Sequence, residues 1–352
     1  MSESIISARS GRVGHIQLDR PKALNALTVD MIEAIDSALV EWSDAGAVDS
    51  VLVTSTSPKA FCAGGDIKAV RDAVISGDTS DGRRFFEVEY AMNARIANSP
   101  VPYASLLFGA TMGGGIGVSA HGSHRIVTET LMSSMPETAI GFIPDVGASW
   151  LLPRFAGGGD IGLAVAKYLG TTGARMNAAD ALYLGLGTHF IYDAVRPDFQ
   201  ATVLESGLDQ ALDEHCSDPG EAGTSTVRAQ LEYIVQAFSG DTIEEILGTL
   251  DSMTTGPAEA ADWATSTREA LQSHSPTSVV ATLELMKAGA QVSSVEQALN
   301  NELNLGALVC QGPDFPEGVR AVLVDKSRDA AWQPAAFADV DIQAIRDTLS
   351  TD

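Results

Sequence analysis

Ile96-Ala-Asn-Ser-Pro-Val-Pro-Tyr-Ala-Ser-Leu-Leu-Phe-Gly-Ala-Thr-Met-Gly-Gly-Gly-Ile-Gly-Val-Ser-Ala120 carries no charged side chain and matches a membrane span in length. Its punctuation argues against that use. Pro100, Pro102, four glycines from Gly109 to Gly115 and a fifth at Gly117 would serve a lipid-facing helix poorly. The same residues suit a buried strand over Tyr103–Gly109 that runs into a glycine loop. Read this way, the segment belongs to a folded α/β protein.

The neighbouring sequence agrees. His15-Ile-Gln-Leu-Asp19 alternates as a short strand, and Met31, Ile32, Ile35, Leu39 and Trp42 recur at helical spacing after Thr28. Ser50–Ser55 reads as a buried strand, followed by the loop Ala60-Phe-Cys-Ala-Gly-Gly-Asp66 and a helix beginning near Ile67. A polar stretch, Ser76 to Gly82, precedes a helix carrying Phe85, Phe86, Glu89, Tyr90 and Met92, and His124–Thr128 is a further strand. Strands and helices alternate to about residue 200, and residues 1–204 are expected to form an α/β core. Ser217–Thr226 is linker-like. Capping boxes at Thr242…Glu245 and Ser293…Glu296, and a stripe of Val295, Leu299 and Leu303, mark 205–352 as a mostly helical region packing on that core.

With 45% hydrophobic and 19% charged residues the chain can bury a substantial core. A formal charge of −24 disfavours nucleic acid and anionic membrane as partners. A small anionic ligand could still meet a local cluster drawn from Arg20, Lys22, Lys59, Lys68 and Arg71, each of which singly reads as a solvated charge. Cys62, Cys216 and Cys310 are too scattered for a disulfide framework or a zinc site, and Cys62 reads as a small packed residue. The opening residues from Met1 hold no apolar run of signal-peptide length, so a cytoplasmic address is expected.

The chemistry concentrates in Met135-Pro-Glu-Thr-Ala-Ile-Gly-Phe-Ile-Pro-Asp145, where Glu137 and Asp145 each follow a proline among apolar neighbours. Proline fixes its own φ and favours extended chain before it, so both acids are expected on stiff, non-helical backbone. A carboxylate so placed needs a partner or a task, as nucleophile, base or electrostatic partner. The plainer reading makes Asp145 the cap of a helix over Val146–Leu152 and Glu137 a rim residue. Met112-Gly-Gly-Gly-Ile-Gly117 does not complete a dinucleotide fingerprint, because the third glycine of that pattern falls on Ala120. Consecutive glycines at a helix start instead leave N–H groups free for an oxyanion, and the loop Ala63-Gly64-Gly65-Asp66 has the same character. Two donors from two loops could converge on one carbonyl oxygen. No G-x-S-x-G elbow is present, His121 and His124 read as structural, and Glu89 alone reads as a surface acid.

Taken together, Leu18-Asp-Arg-Pro-Lys-Ala-Leu-Asn25, Phe61-Cys-Ala-Gly-Gly-Asp66, the Gly113–Gly115 turn and Pro136-Glu137 resemble the crotonase (enoyl-CoA hydratase/isomerase) superfamily in order and spacing. The match is closer to its 3-hydroxyisobutyryl-CoA hydrolase branch. That closer match includes Phe85–Tyr90, Thr111–Gly117, Met135–Gly147 and the tail Asp314-Phe-Pro-Glu-Gly-Val-Arg-Ala-Val-Leu-Val-Asp-Lys326, which ordinary hydratases lack. The resemblance implies a spiral of ββα units binding coenzyme A, with a helical C-terminal region. It implies the N–H groups of Gly65 and Gly114 as the oxyanion hole, Glu137 and Asp145 as catalytic acids, and Glu89, with Gly114, as a substrate contact. Lys22, Ala23, Leu24, Ala63, Asp66, Ile67 and Lys68 would flank coenzyme A.

Hydratases of the superfamily use two glutamates, the first lying two residues after the triple glycine, and here that position is Gly117. Asp145 stands where they usually carry glycine. The expected activity is therefore hydrolysis of a short branched 3-hydroxyacyl-CoA thioester, as in valine degradation. Enoyl-CoA hydration or isomerisation and non-catalytic coenzyme A binding are the alternatives. Coenzyme A would enter as part of the substrate, with no separate cofactor or metal, and the superfamily often forms homo-oligomers.

Overall fold

The structure, a computed structural model, describes residues 3–44, 46–77 and 79–350. Among the described residues nine strands form two sheets: β1 (Ile5–Ser10), β2 (Val13–Leu18), β3 (Ser50–Ser55), β4 (Ala60–Cys62), β5 (Tyr103–Leu107), β6 (Ala110–Met112), β7 (His124–Val127), β8 (Met132–Ser134) and β9 (His189–Phe190). The larger sheet runs β1-β2-β3-β5-β7-β9 and the smaller β4-β6-β8. Only the β1–β2 hairpin is antiparallel; the remaining pairs are parallel. Each circuit of the chain lays one strand in the large sheet and the next in the small one: β3 then β4, β5 then β6, β7 then β8. This is the expected spiral of ββα units. Its pitch is one strand spacing, about 4.8 Å.

Two compact units divide the chain. The first comprises Met1–Asp66, Glu87–Ser134 and Arg175–Arg228 and holds both sheets. Helix α1 (Val29–Asp44) buries Met31, Ile32, Ile35, Leu39 and Trp42, the face read from the sequence. Trp42 lies against β2 at Gly14, where a Cβ would come within 2.5 Å of the indole. The other sheet face carries Val13, Leu52, Leu106 and Ile126 against Phe199, Val203 and Leu208 of the helices Arg196–Ser206 and Leu208–His215. With both faces covered, β3 is buried along its whole length, as parallel strands usually are. Burying each large side chain here contributes about 1.5–3 kcal/mol.

Helix α2 (Ile67–Ser76) begins at the expected residue, whereas α3 (Thr79–Ala97) begins inside the polar stretch expected to precede it. Asp78 lies outside the described residues, as do Met1 and Ser2 of the opening segment. The triple glycine follows β6 and opens α4 (Gly114–Ala120), with Gly113 as N-cap at φ 46, ψ −119, a conformation that only glycine adopts at no cost. Residues 217–226 are no loose linker: Asp180 accepts hydrogen bonds from Ser225 Oγ at 2.7 Å and Val227 N–H at 2.8 Å.

The second unit, Ile67–Phe86, Met135–Ala174 and Ala229–Asp352, is helical. The box at Thr242…Glu245 forms, but the second one sits one residue later than read: Ser294 caps Val295–Gln311 through Gln297 N–H, and Gln297 accepts from Ser293 N–H at 2.8 Å. The stripe on that helix shifts with it, burying Val295, Leu299, Glu302 and Leu305 and leaving Leu303 half-buried. Phe86, Phe142 and Phe315 form a chain of ring contacts at 5.0 and 5.6 Å. Among the described residues no helix is long and apolar enough to cross a membrane.

Inside α4, a Cβ on Gly115 would run into the Cys62 carbonyl of β4. Helix propensity alone would make Gly115→Ala stabilising by about 1 kcal/mol. The close approach predicts the opposite sign, a loss of about 1–3 kcal/mol, read as a lower urea midpoint at unchanged slope.

Candidate active site

In the first unit, the loop Ala63–Asp66 is pinned by a short parallel bridge. Leu27 N–H donates to Gly64 O at 2.9 Å, and Asp66 N–H donates to Leu27 O at 2.8 Å. Its entry is fixed by Asn25, buried at φ 57, which accepts from Arg20 N–H and donates to Ser55 Oγ and the Phe61 carbonyl. Gly65 N–H donates to no acceptor among the described residues. Neither does Gly114 N–H, since it opens α4 and has no intrahelical acceptor. The two are neighbours: a Cβ on Gly114 would lie 3.3 Å from Gly65 N, 3.1 Å from Leu27 Cδ1 and 2.5 Å from Glu89 Oε1. Two free donors and one buried carboxylate thus surround a space that a single methyl group would fill. Glu89 is 2% exposed, so its reading as a surface acid is overturned; the α3 face bearing Tyr90 and Met92 carries it inward. Cys62 beneath this loop is inert, because burial first, and the Glu89 charge after it, push its thiol up to about 12.

Other loop residues fall as follows. Lys22 and Ala23 belong to the 3₁₀ turn Pro21–Ala23, and Leu24 follows at φ 50 with 37% of its surface exposed. Ala63 N–H donates to Leu24 O at 3.0 Å, tying these segments together. Asp66 pairs with Arg20 at 2.9 Å. Ile67 and an exposed Lys68 open α2, and Arg71 on that helix is engaged by Asp72 and the Pro316 carbonyl. Arg20 and Arg71 are therefore already neutralised as members of the proposed cationic cluster. His124 stacks on His189 at 5.6 Å.

In the second unit, Glu137 and Asp145 are buried, at 8% and 5% exposure. Glu137 does not sit on non-helical chain. It opens the 3₁₀ turn Glu137–Ile140, because Pro136 at φ −90, ψ 16 leads into a helical turn and proline does not restrain the residue after it. Backbone crossings lock this turn. A Cβ on Gly141 would strike Asp314 O, and one on Gly318 would strike the Ile140 carbonyl, so the tail helix Asp314–Val319 lies directly on it. Glu137 Oε2 is buried with no hydrogen-bond partner among the described residues. Desolvation, then the neighbouring Asp145 charge, hold the Glu137 pKa well above the ordinary carboxylate value. A buried carboxylate with one partnerless oxygen beside a second acid marks a candidate functional site.

Asp145 caps nothing with its side chain. The N-cap of Ala148–Leu151 is Gly147, and Asp145 contributes its backbone carbonyl, which accepts from Ala148 N–H at 2.9 Å. Between them Val146 takes φ 55, a left-handed conformation costing a β-branched residue about 1–3 kcal/mol. The sequence reading missed Glu302. This fully buried acid accepts from Gly147 N–H at 2.7 Å, Ser149 N–H at 2.9 Å and Ser149 Oγ at 2.6 Å. Burial raises its pKa to about 8 against the lowering effect of these bonds. The signal was an acid on the apolar stripe of its helix.

A spiral of ββα turns with paired glycine loops is the scaffold of a crotonase-type fold. The chain belongs to the enoyl-CoA hydratase/isomerase family, whose sequence profile matches residues 13–349. It is 35% identical to a chicken protein named 3-hydroxyisobutyryl-CoA hydrolase, mitochondrial, over 96% of this chain and 86% of that protein. An Arabidopsis thaliana protein named 3-hydroxyisobutyryl-CoA hydrolase 1 is also 35% identical, over 96% and 89%. Among solved structures, a carnitinyl-CoA dehydratase from Mycobacterium thermoresistibile superposes with TM-score 0.90 at 34% identity. An enoyl-CoA hydratase from Rhodobacter sphaeroides gives 0.87 at 37%. Each covers 99% of this chain, and this chain covers 97% of each.

The raised Glu137 pKa gives a stability prediction with a definite sign. Folding favours protonated Glu137, so its stabilising contribution is complete below about pH 4.3 and is lost as pH rises through the higher folded value. Glu137→Gln imitates the protonated form. Its Tm should exceed that of the unaltered protein at pH 8, and the gap should close near pH 4. Equal Tm values at pH 8 would contradict the desolvation described here.

Proposed function

We propose that this protein hydrolyses the thioester of a short branched 3-hydroxyacyl-CoA, with 3-hydroxyisobutyryl-CoA the first candidate. The observation that carries the proposal is the distribution of acids. Helix α4 is buried throughout and carries Gly117 where a hydratase places a glutamate, while Glu137 is coupled to a second acid, Asp145. Near-full-length relatives named 3-hydroxyisobutyryl-CoA hydrolase support the same substrate class. The solved structures named hydratase and dehydratase share the scaffold, and the reaction is decided by side chains on it.

In this proposal Gly65 and Gly114 N–H groups form the oxyanion hole. They hold the thioester oxygen and stabilise the tetrahedral intermediate, a contribution of about 3 kcal/mol per donor. Ionised Glu137 acts by one of two balanced routes. As a nucleophile it adds to the carbonyl carbon; the C–S bond breaks, the thiolate leaves and is protonated, and water cleaves the resulting anhydride. As a base it takes a proton from the attacking water. Asp145 orients water or assists thiol departure, and Glu89 accepts from the substrate hydroxyl. Lys22–Leu24, Ala63 and Asp66–Lys68 flank coenzyme A, which is part of the substrate and not a cofactor. A cytoplasmic address belongs to the proposal too, whereas the chicken relative's name is mitochondrial.

The test is thiol release. Wild-type protein should liberate free CoA from 3-hydroxyisobutyryl-CoA faster than from unbranched acyl-CoAs, and Glu137→Gln should lower kcat by about 10³-fold. Loss of the crotonyl-CoA enoyl absorbance without free thiol would instead establish hydration. Single turnover in oxygen-18 water tests the nucleophilic route: label in Glu137 marks an anhydride opened at the Glu137 carbonyl.

A further inference from the structure

Asp145 is held by an unusual turn. Val146 and Gly147 both lie at positive φ, 55 and 84, directly between Asp145 and the helix Ala148–Leu151. Gly147 adopts this conformation freely, but Val146 does so only where its surroundings over-determine it. The hydrogen bonds show what does so. Asp145 O is tied to Ala148 N–H, and the N–H of Gly147 is tied to Glu302 Oε2 at 2.7 Å. The other Glu302 oxygen takes Ser149 N–H and Ser149 Oγ, so one carboxylate grips both ends of the turn's exit. Glu302 reaches there from a helix distant in sequence, on a stripe otherwise made by Val295, Leu299 and Leu305. Its own helix gains nothing from burying an acid on that stripe.

We infer that Glu302 is a positioning residue for Asp145: it holds the Val146–Gly147 turn in its left-handed form and so fixes the direction of the Asp145 carboxylate. The inference rests on the reading of Asp145 as a group that works on the thioester. A Gln at 302 retains one acceptor oxygen but turns an NH₂ towards a donor, so the turn loses part of its grip while side-chain size is kept.

The experiment measures kcat and KM for 3-hydroxyisobutyryl-CoA, together with Tm, in full-length Glu302→Gln, Val146→Gly and the double variant. Glu302→Gln should lower kcat by about 10–100-fold with KM within about threefold of wild type, since misdirection of a working group costs turnover more than binding. Glycine at 146 removes the need to hold the turn, so the double variant should recover at least tenfold of that loss. A folded Glu302→Gln protein with wild-type kcat overturns the inference. So does a slow one that Val146→Gly fails to rescue, because Glu302 would then act through its charge and not through the turn. If Glu302→Gln does not fold, Ser149→Ala, which removes only one of the three bonds, decides: lowered kcat at unchanged KM supports the inference and unchanged kcat overturns it. A wild-type protein that releases no thiol sinks the hydrolase reading alone. If it hydrates crotonyl-CoA, the same variants are compared in that assay.

Discussion

In the first unit two pieces of backbone, the start of α4 and the strand β4, approach closely, and they do so because Gly114 and Gly115 carry no side chains. Gly115 lets the helix rest on the Cys62 carbonyl. Gly114, one residue earlier, brings its N–H beside the Gly65 loop and leaves open a space bordered by Leu27 and Glu89. Packing and chemistry share this origin. Filling that space would both push the helix off the strand and occupy the place where two unpaired N–H groups can meet an oxygen. The Leu27 bridge, through its hydrogen bonds with Gly64 and Asp66, keeps the opposite loop in register.

The large sheet was readable because its strands are long enough to show a pattern. Ser50–Ser55 is uniformly apolar or small, as a strand buried on both faces must be. The small sheet was not readable: β4, β6 and β8 have three residues each, too few for any period, and they exist only because successive circuits of the chain stack them. The edge strand β1 was equally silent, since five of its six residues are exposed and lack alternation. Of the candidate site, the glycine loops were visible as backbone requirements that few other residues meet. The burial of Glu89 was not, because one acid on an amphipathic helix is locally indistinguishable from a solvated one. Glu302 sat at a legible position, on the apolar phase of its own helix, but the phase was assigned one residue off and Leu303 took its place.

The tail Asp314–Lys326, notable in the sequence only as a motif, gains a physical role in the second unit. Gly141 and Gly318 allow the tail helix and the Glu137 turn to touch backbone to backbone, and Phe142 and Phe315 close the contact from the side. The clamped turn holds Glu137 Oε2 buried, with no hydrogen-bond partner among the described residues. The high proton affinity of Glu137 is thus a consequence of how the tail packs as much as of Asp145.

These two influences bear on the choice between hydration and hydrolysis. Addition of water to an enoyl group needs one acid to place the water and another to deliver a proton, and a buried glycine at 117 can do neither. Hydrolysis asks for something different: one group that is charged when it meets the carbonyl or the water, and neutral or acylated a moment later. Desolvation and the Asp145 charge both narrow the gap between the charged and uncharged forms of Glu137. Thiolate is a good enough leaving group that no strong acid has to wait on the far side of the bond. In the proposed reaction one carboxylate, its proton affinity raised by a neighbour of the same sign, meets the demand of thioester hydrolysis, and it would leave hydration one acid short.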